Sequence, residues 1–231
     1  MEKVKIAAGM AFVDYGNVGA LVKEATEAGV DYIHADACDM YEMPQGQLMG
    51  GHQVIAGIRP YTNLPIECHA YLRSCDVHFV TNIAEAGANM LILPAEHHIG
   101  APLAYIMHYC QEFGLKFGLT IGCFTPLCFV EESIYELDRL HIVVHGVRDK
   151  NWSWRRSALD LVRRAGKLIE EKNPDCELAV DGGINYETVH ELVEAGANVV
   201  IGSRPIFKNP DGIRTGVQML REGIERAKRG G

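Results

Sequence analysis

Within the stretch Asp31 to Asp39 (DYIHADACD) an imidazole and a carboxylate stand two residues apart, at His34 and Asp36. In an extended chain both side chains project to the same face. Such a pair among apolar neighbours can give two ligands to a metal ion or half of an acid/base site. It can equally be a buried histidine satisfied by the adjacent aspartate. Three further acids or imidazoles close short apolar runs: His69 in PIECHAYL (65–72), Glu96 just after NMLILPA (89–95), and Asp181 in CELAVDGG (176–183). Two glycine-containing phrases, Asp181-Gly182-Gly183 and Gly202-Ser203, end the last apolar runs, where bare backbone N–H groups can approach an anion or simply make tight turns.

Positioning these residues requires a regular frame. Period-two alternation over 31–39, with Ile33, Ala35 and Ala37 opposed to His34, Asp36 and Cys38, predicts a β-strand. Strands are also predicted at 4–10, 65–72, 89–95, 116–122, 139–145, 176–183 and 198–203. Helices are predicted at 17–29, 52–59, 76–87, 101–114, 126–138, from the basic Trp-containing loop to about residue 173, and at 186–196 and 211–229. Eight strands alternating with helices imply parallel strands and right-handed crossovers, hence a single (β/α)₈ TIM barrel over 1–231, with a doubly wound open sheet as the alternative. The recurring phrases EAGVD (27–31), EAGAN (85–89) and EAGAN (194–198) point to repeated helix–Gly–strand joints, or only to C-cap chemistry.

In such a barrel the active site lies at the C-terminal strand ends. His34, Asp36, His69 and Asp181 then converge on one mouth and form an N/O ligand set suited to one Zn²⁺, Mn²⁺, Co²⁺ or Fe²⁺ ion. The phrases after strands seven and eight fall where barrels commonly place a phosphate. On strand six His141 and His145 share a parity, so that one can face the mouth; His97 and His98 are expected to face solvent; Cys38 and Cys68 are expected to be small buried thiols.

The set IHAD (33–36), CHAYL (68–72), VDGGIN (180–185) and IGSRPIF (201–207) resembles ribulose-phosphate 3-epimerases and related ketose-phosphate 3-epimerases, in order and spacing across nearly the whole chain. The resemblance implies one divalent metal held by His34, Asp36, His69 and Asp181, with no organic cofactor. It implies Asp36 and Asp181 as the acid/base pair, and Gly183, Gly202 and Ser203, with the adjoining Gly182, as phosphate-binding. The implied reaction is inversion at C3 of a ketose phosphate like ribulose 5-phosphate or xylulose 5-phosphate, by two-aspartate proton transfer through a metal-stabilised enediolate. The chain departs from the family at Phe12, where a serine is usual, and at Pro94, where a histidine is usual. Between strand two and the next helix, CDMYEMP (38–44) keeps Asp39 and Pro44 but lacks the glycine. HGVRDKNWSWRR (145–156) replaces the glycine-rich loop after strand six. Arg148, Lys150 or Arg155 could grip the phosphate there, or the tryptophans could pack on the rim.

Other readings stay open: another phosphorylated ketose (hexulose or tetrulose), or a sugar-phosphate-binding barrel without turnover. Aldol and decarboxylating barrels usually place a lysine among the strand-end acids, and strands two, three and seven contain none. A net charge of -8 argues against nucleic acid or an anionic membrane as partner. The MEKVKIAAGM start lacks a signal-peptide layout, and the seven cysteines include no CxxC, so a cytoplasmic protein with reduced thiols is expected. The resemblance also implies a homo-oligomer.

Overall fold

A computed structural model of the chain describes residues 3–39, 50–144 and 156–229. Eight parallel strands close on themselves in chain order: β1 (Lys5–Gly9), β2 (Tyr32–Cys38), β3 (Ile66–Tyr71), β4 (Met90–Pro94), β5 (Lys116–Gly122), β6 (Arg139–Val143), β7 (Glu177–Asp181) and β8 (Val199–Gly202), with β8 paired to β1. The α-helices are α1 (Val18–Glu27), α2 (His52–Ile58), α3 (Val77–Glu85), α4 (Ala101–Glu112), α5 (Arg156–Lys172), α6 (Val189–Glu194), α7 (Arg204–Phe207) and α8 (Ile213–Arg229). The (β/α)₈ TIM barrel is thus the observed architecture, and the open-sheet alternative is excluded by the β1–β8 ladder.

Strand parity divides the residues. On β2, Ile33, Ala35 and Ala37 join the main apolar cluster, which also takes in Val22, Ile55, Ile58, Val80 and Ile83 from α1, α2 and α3. Their neighbours His34 and Asp36 therefore point into the barrel. The interior has two characters. Ala7, Ala179, Val199 and Ile201, with Tyr32 against them, make an apolar wall. The rest is polar to an unusual degree: His34, Glu67, His69, Arg139 and His141 are all buried there.

The EAG phrases prove to be joints. Gly29, Gly87 and Gly196 take φ of 90°, 96° and 115° at helix ends, where a side chain would be strained. Two residues on, Asp31 Oδ2 accepts from Ile6 N at 2.8 Å, Asn89 Oδ1 from Ile66 N at 2.9 Å, and Asn198 Oδ1 from Leu178 N at 2.8 Å. Each polar side chain satisfies the N–H of the first or second residue of the preceding strand, at the barrel end remote from the strand C-termini. Asp138 does the same for Phe117 N at 2.8 Å without an EAG phrase before it.

One expected helix is absent. Residues 126–138 form two 3₁₀ turns, Leu127–Phe129 and Ile134–Glu136, instead of an α-helix. The buried Val130, Ile134 and Leu137 anchor the segment, a spacing that a packed loop satisfies as well as a helix does. Asn173 Nδ2 donates to the carbonyls of Ile134 and Leu137, both at 2.9 Å, and occupies acceptors that a continuing helix would need. The short α7 was not foreseen, and Pro205 sits in its first turn.

Candidate active site

The site is built in tiers from the bottom of the barrel upward. Lowest lies an ionic group: Arg139 pairs with Glu67 and with Glu177, Lys5 also pairs with Glu177, and the guanidinium lies 4.5 Å from the centre of the Tyr32 ring. Tyr32 Oη donates to Glu177 at 3.1 Å. Two cations and two carboxylates balance, as buried charges require. Burial pushes the Glu177 carboxyl upward, but Arg139 and Lys5 outweigh it and leave the group below its ordinary value.

Glu67 links this tier to the next. Its Oε1 accepts from His34 Nδ1 at 2.6 Å. A carboxylate only accepts, so the ring proton resides on Nδ1 and the Nε2 lone pair is directed elsewhere. His34 Nε2 has no hydrogen-bond partner and lies 3.5 Å from Asp36 Oδ1. Across the β2–β3 ladder, where Asp36 is in register with His69, His69 Nδ1 lies 3.6 Å from the same oxygen. These separations exceed a good hydrogen bond. They match the roughly 3.4 Å edge between two ligands of a tetrahedral ion with bonds near 2.1 Å.

His69 and His141 are fully buried, and none of their four ring nitrogens has a hydrogen-bond partner. Donor atoms of His34, Asp36 and His69 lie within 4.8 Å of one another, and so do those of His69, His141 and Asp181. The four residues expected as ligands are therefore brought together in two overlapping groups that share His69. Orphaned imidazole nitrogens beside carboxylates are what a divalent ion would satisfy, so the residues fit a metal.

The two carboxylates are not equivalent. Burial works to raise the Asp36 carboxyl, but the neighbouring His34 and His69 overcome it and hold it well below the usual range. Burial pushes Asp181 up to about 6; His34 opposes this, the Asp36 charge adds to it, and a 2.6 Å bond from Gly182 N to Oδ1 opposes it. Burial draws His69 down to about 4 against the pull of Asp36, leaving a neutral imidazole fit to coordinate.

Above the cluster opens a cavity of about 510 Å³ with Asp36, Cys38, Tyr71 and Asp181 at its base. Gly182, Gly183 and Ser203 form part of its wall, together with Arg204 and Lys208. Glycine at position 9 permits this wall, because a Cβ there would fall 2.2 Å from Ser203 Oγ. Gly202 does not line the cavity; a Cβ on it would meet Leu220 at 3.0 Å and Ile206 at 3.3 Å. Phe12, at the position where a serine is usual, also lines the cavity, with the Arg204 guanidinium 4.6 Å from its ring centre. Glu96 is tied to β5, accepting from Gly122 N at 3.3 Å and from Thr125 Oγ1, and belongs to neither ligand group. Arg148, Lys150, Arg155 and His145 lie outside the described residues.

His98 overturns its expected exposure: it is buried, with Nδ1 3.0 Å from the Pro94 carbonyl, because the turn after β4 folds its ring inward, while His97 is exposed as expected. Cys38 and Cys68 are buried and in no disulfide. Strand parity left His141 and His145 undivided, and Glu67 and Arg139 carried no signal of a site. Arg204 and Lys208 follow β8, and their positive charge was the available clue.

The fold and site together define a (β/α)₈ barrel with an imidazole–carboxylate centre at the C-terminal mouth. A family model described as "Ribulose-phosphate 3 epimerase family" matches residues 5–207, and the chain belongs to that family. A ribulose-phosphate 3-epimerase of Bacillus subtilis is 26% identical over 211 residues, covering 90% of this chain and 94% of that one. One of Buchnera aphidicola subsp. Schizaphis graminum is 31% identical over 214 residues, covering 91% of each. Among solved structures, 3-hexulose-6-phosphate synthase from Salmonella typhimurium superposes with a TM-score of 0.75 at 16% identity, over 96% of this chain and 99% of that one. The 3-keto-L-gulonate-6-phosphate decarboxylase of Vibrio cholerae gives 0.74 at 18% identity, over 97% and 99%. At such identities the likeness is one of fold.

Proposed function

We propose that this protein is a metal-dependent ketose-phosphate 3-epimerase, acting as a single barrel domain on ribulose 5-phosphate, xylulose 5-phosphate or a close analogue. The observation that carries the reading is a pair of aspartates, Asp36 buried and Asp181 half-buried, set among unpartnered imidazoles at the floor of a 510 Å³ cavity. Family membership supports the reaction class. His34, Asp36, His69 and Asp181 would hold one divalent ion. When bound, the ion would act as a Lewis acid at the sugar's C2 carbonyl and so acidify the neighbouring C3–H bond.

The protein's own groups then move the proton. Asp36, ionised at rest, accepts the C3 proton; Asp181, which holds its proton more tightly, returns one to the other face and inverts the centre. The roles exchange in the reverse direction. Glu67 fixes the His34 tautomer, and Arg139 neutralises Glu67. The backbone of Gly182 and Gly183, with Ser203, would take the phosphate, and Arg204 and Lys208 at the same rim would offset its charge. No helix among the described residues is long and apolar enough to cross a membrane, and a cytoplasmic homo-oligomer is the setting proposed.

The experiment is turnover on a stereochemically complete set of pentulose, hexulose and tetrulose phosphates, with and without chelator. We expect chelator-sensitive inversion at C3 of a pentulose phosphate, abolished in Asp36→Asn and in Asp181→Asn. Ligand-induced thermal stabilisation with no turnover on any member would instead identify a sugar-phosphate binder.

A further inference from the structure

We propose that His141 is an additional ligand of the ion, giving this chain three imidazoles at its metal centre beside Asp36 and Asp181. The proposal rests on reading the cluster as a metal centre, and it adds a residue that the four-ligand set does not contain. His141 occupies the middle of β6, in register with Thr120 on one side and Ala179 on the other. Its ring is fully buried, 4.4 Å from the centre of the His69 ring and 5.5 Å from that of His34. One of its nitrogens lies within 4.8 Å of donor atoms on both His69 and Asp181.

Among the described residues nothing satisfies His141, a state it shares with His69. The other deeply buried histidines of the β2 and β4 ends each have an acceptor, Glu67 for His34 and the Pro94 carbonyl for His98. Both nitrogens of His141 have none, and the Thr120 hydroxyl beside it in the ladder is also unpartnered. A buried polar atom left without a partner is destabilising, so a ring with two is a costly way to fill a barrel that uses Ala179 at the neighbouring position. Burial above all, with the Arg139 guanidinium below, keeps the ring neutral, the form that binds metals. A third neutral nitrogen adds affinity without charge. It favours Zn²⁺ or Co²⁺ over ions that prefer an all-oxygen sphere.

The test reads the metal rather than turnover. The chelator-stripped wild-type protein is reloaded with one equivalent of Zn²⁺, and its X-ray absorption fine structure counts the coordinated imidazoles. The expected count is three; a count of two overturns the proposal and leaves the centre as His34 with His69. Failure to retain zinc at all overturns the metal-centre reading, and this proposal with it. In parallel, His141→Leu is titrated with Co²⁺ against a competing chelator, with circular dichroism as the check on folding. Losing a residue that merely orients a ligand weakens metal binding about 10–100-fold, so losing a direct ligand is expected to cost at least about 100-fold and to alter the visible cobalt bands. A folded variant with unchanged affinity and bands overturns the proposal.

Discussion

Glu67 is the residue through which the floor of the barrel reaches the proposed metal ligand His34, and Glu67→Gln tests that link. Glutamine keeps the shape and can still accept from His34 Nδ1, but only by turning its amide nitrogen toward Arg139. It can satisfy one neighbour and must disappoint the other. Breaking a fully buried ion pair costs roughly 3–5 kcal/mol; because Arg139 keeps Glu177, the lower end applies, about 3 kcal/mol. For a chain of this size that is a fall in Tm of about 6–12 °C. Loosening of His34 should weaken metal binding about 10–100-fold, or about 1.4–2.7 kcal/mol. The assay pairs thermal denaturation with competitive metal titration, and Glu177→Gln is the control. Glu177 touches Arg139, Lys5 and Tyr32 but not His34, so its loss should lower Tm and leave metal affinity within about twofold. Unchanged affinity in folded Glu67→Gln, or an equal loss in Glu177→Gln, would refute the reasoning.

Asp181 gives a prediction in pH. Its folded pKa of about 6 lies above its unfolded value near 3.8, so its contribution to stability is full below about pH 4 and is lost as pH rises through 6. Two units correspond to about 3 kcal/mol. Metal-free Asp181→Asn should therefore melt above metal-free wild type at pH 7.5 and with it at pH 4; a wild-type Tm that equals or exceeds the variant's at pH 7.5 refutes this. Gly50→Ala should cost both stability and metal affinity, because Gly50 has φ 69° and a Cβ there would lie 1.6 Å from the Asp36 carbonyl oxygen. Wild-type Tm and metal titration in that variant would show that Asp36 is not held from that side. Arg204→Ala combined with Lys208→Ala should raise KM for a ketose phosphate at least about tenfold with a smaller change in kcat, since each charged hydrogen bond is worth about 1.5–3 kcal/mol. An unchanged KM would place the phosphate elsewhere.

The barrel was readable because strand and helix periods alternate cleanly, and the site because His34, Asp36, His69 and Asp181 all have inward parity on their strands. Parity says which face a side chain takes and not what it meets across a closed barrel. His141 could therefore be placed on the right face without its neighbours being visible. Glu67 and Arg139 were silent for a related reason: a charged residue opening a strand ordinarily faces water, and only closure of the sheet buries the two against each other. The lost helix at 126–138 has apolar spacing that suits a helix, and the competing acceptor demand comes from Asn173, distant in sequence.

Two aspartates at one mouth are proposed to exchange a proton at C3 of the sugar. That proposal is met most directly by following the purified, metal-loaded protein turning over ribulose 5-phosphate in D₂O by NMR. Xylulose 5-phosphate is expected to appear with deuterium at C3, incorporated on the timescale of turnover. Product that retains its original C3 hydrogen, or no product from any ketose phosphate, would contradict it.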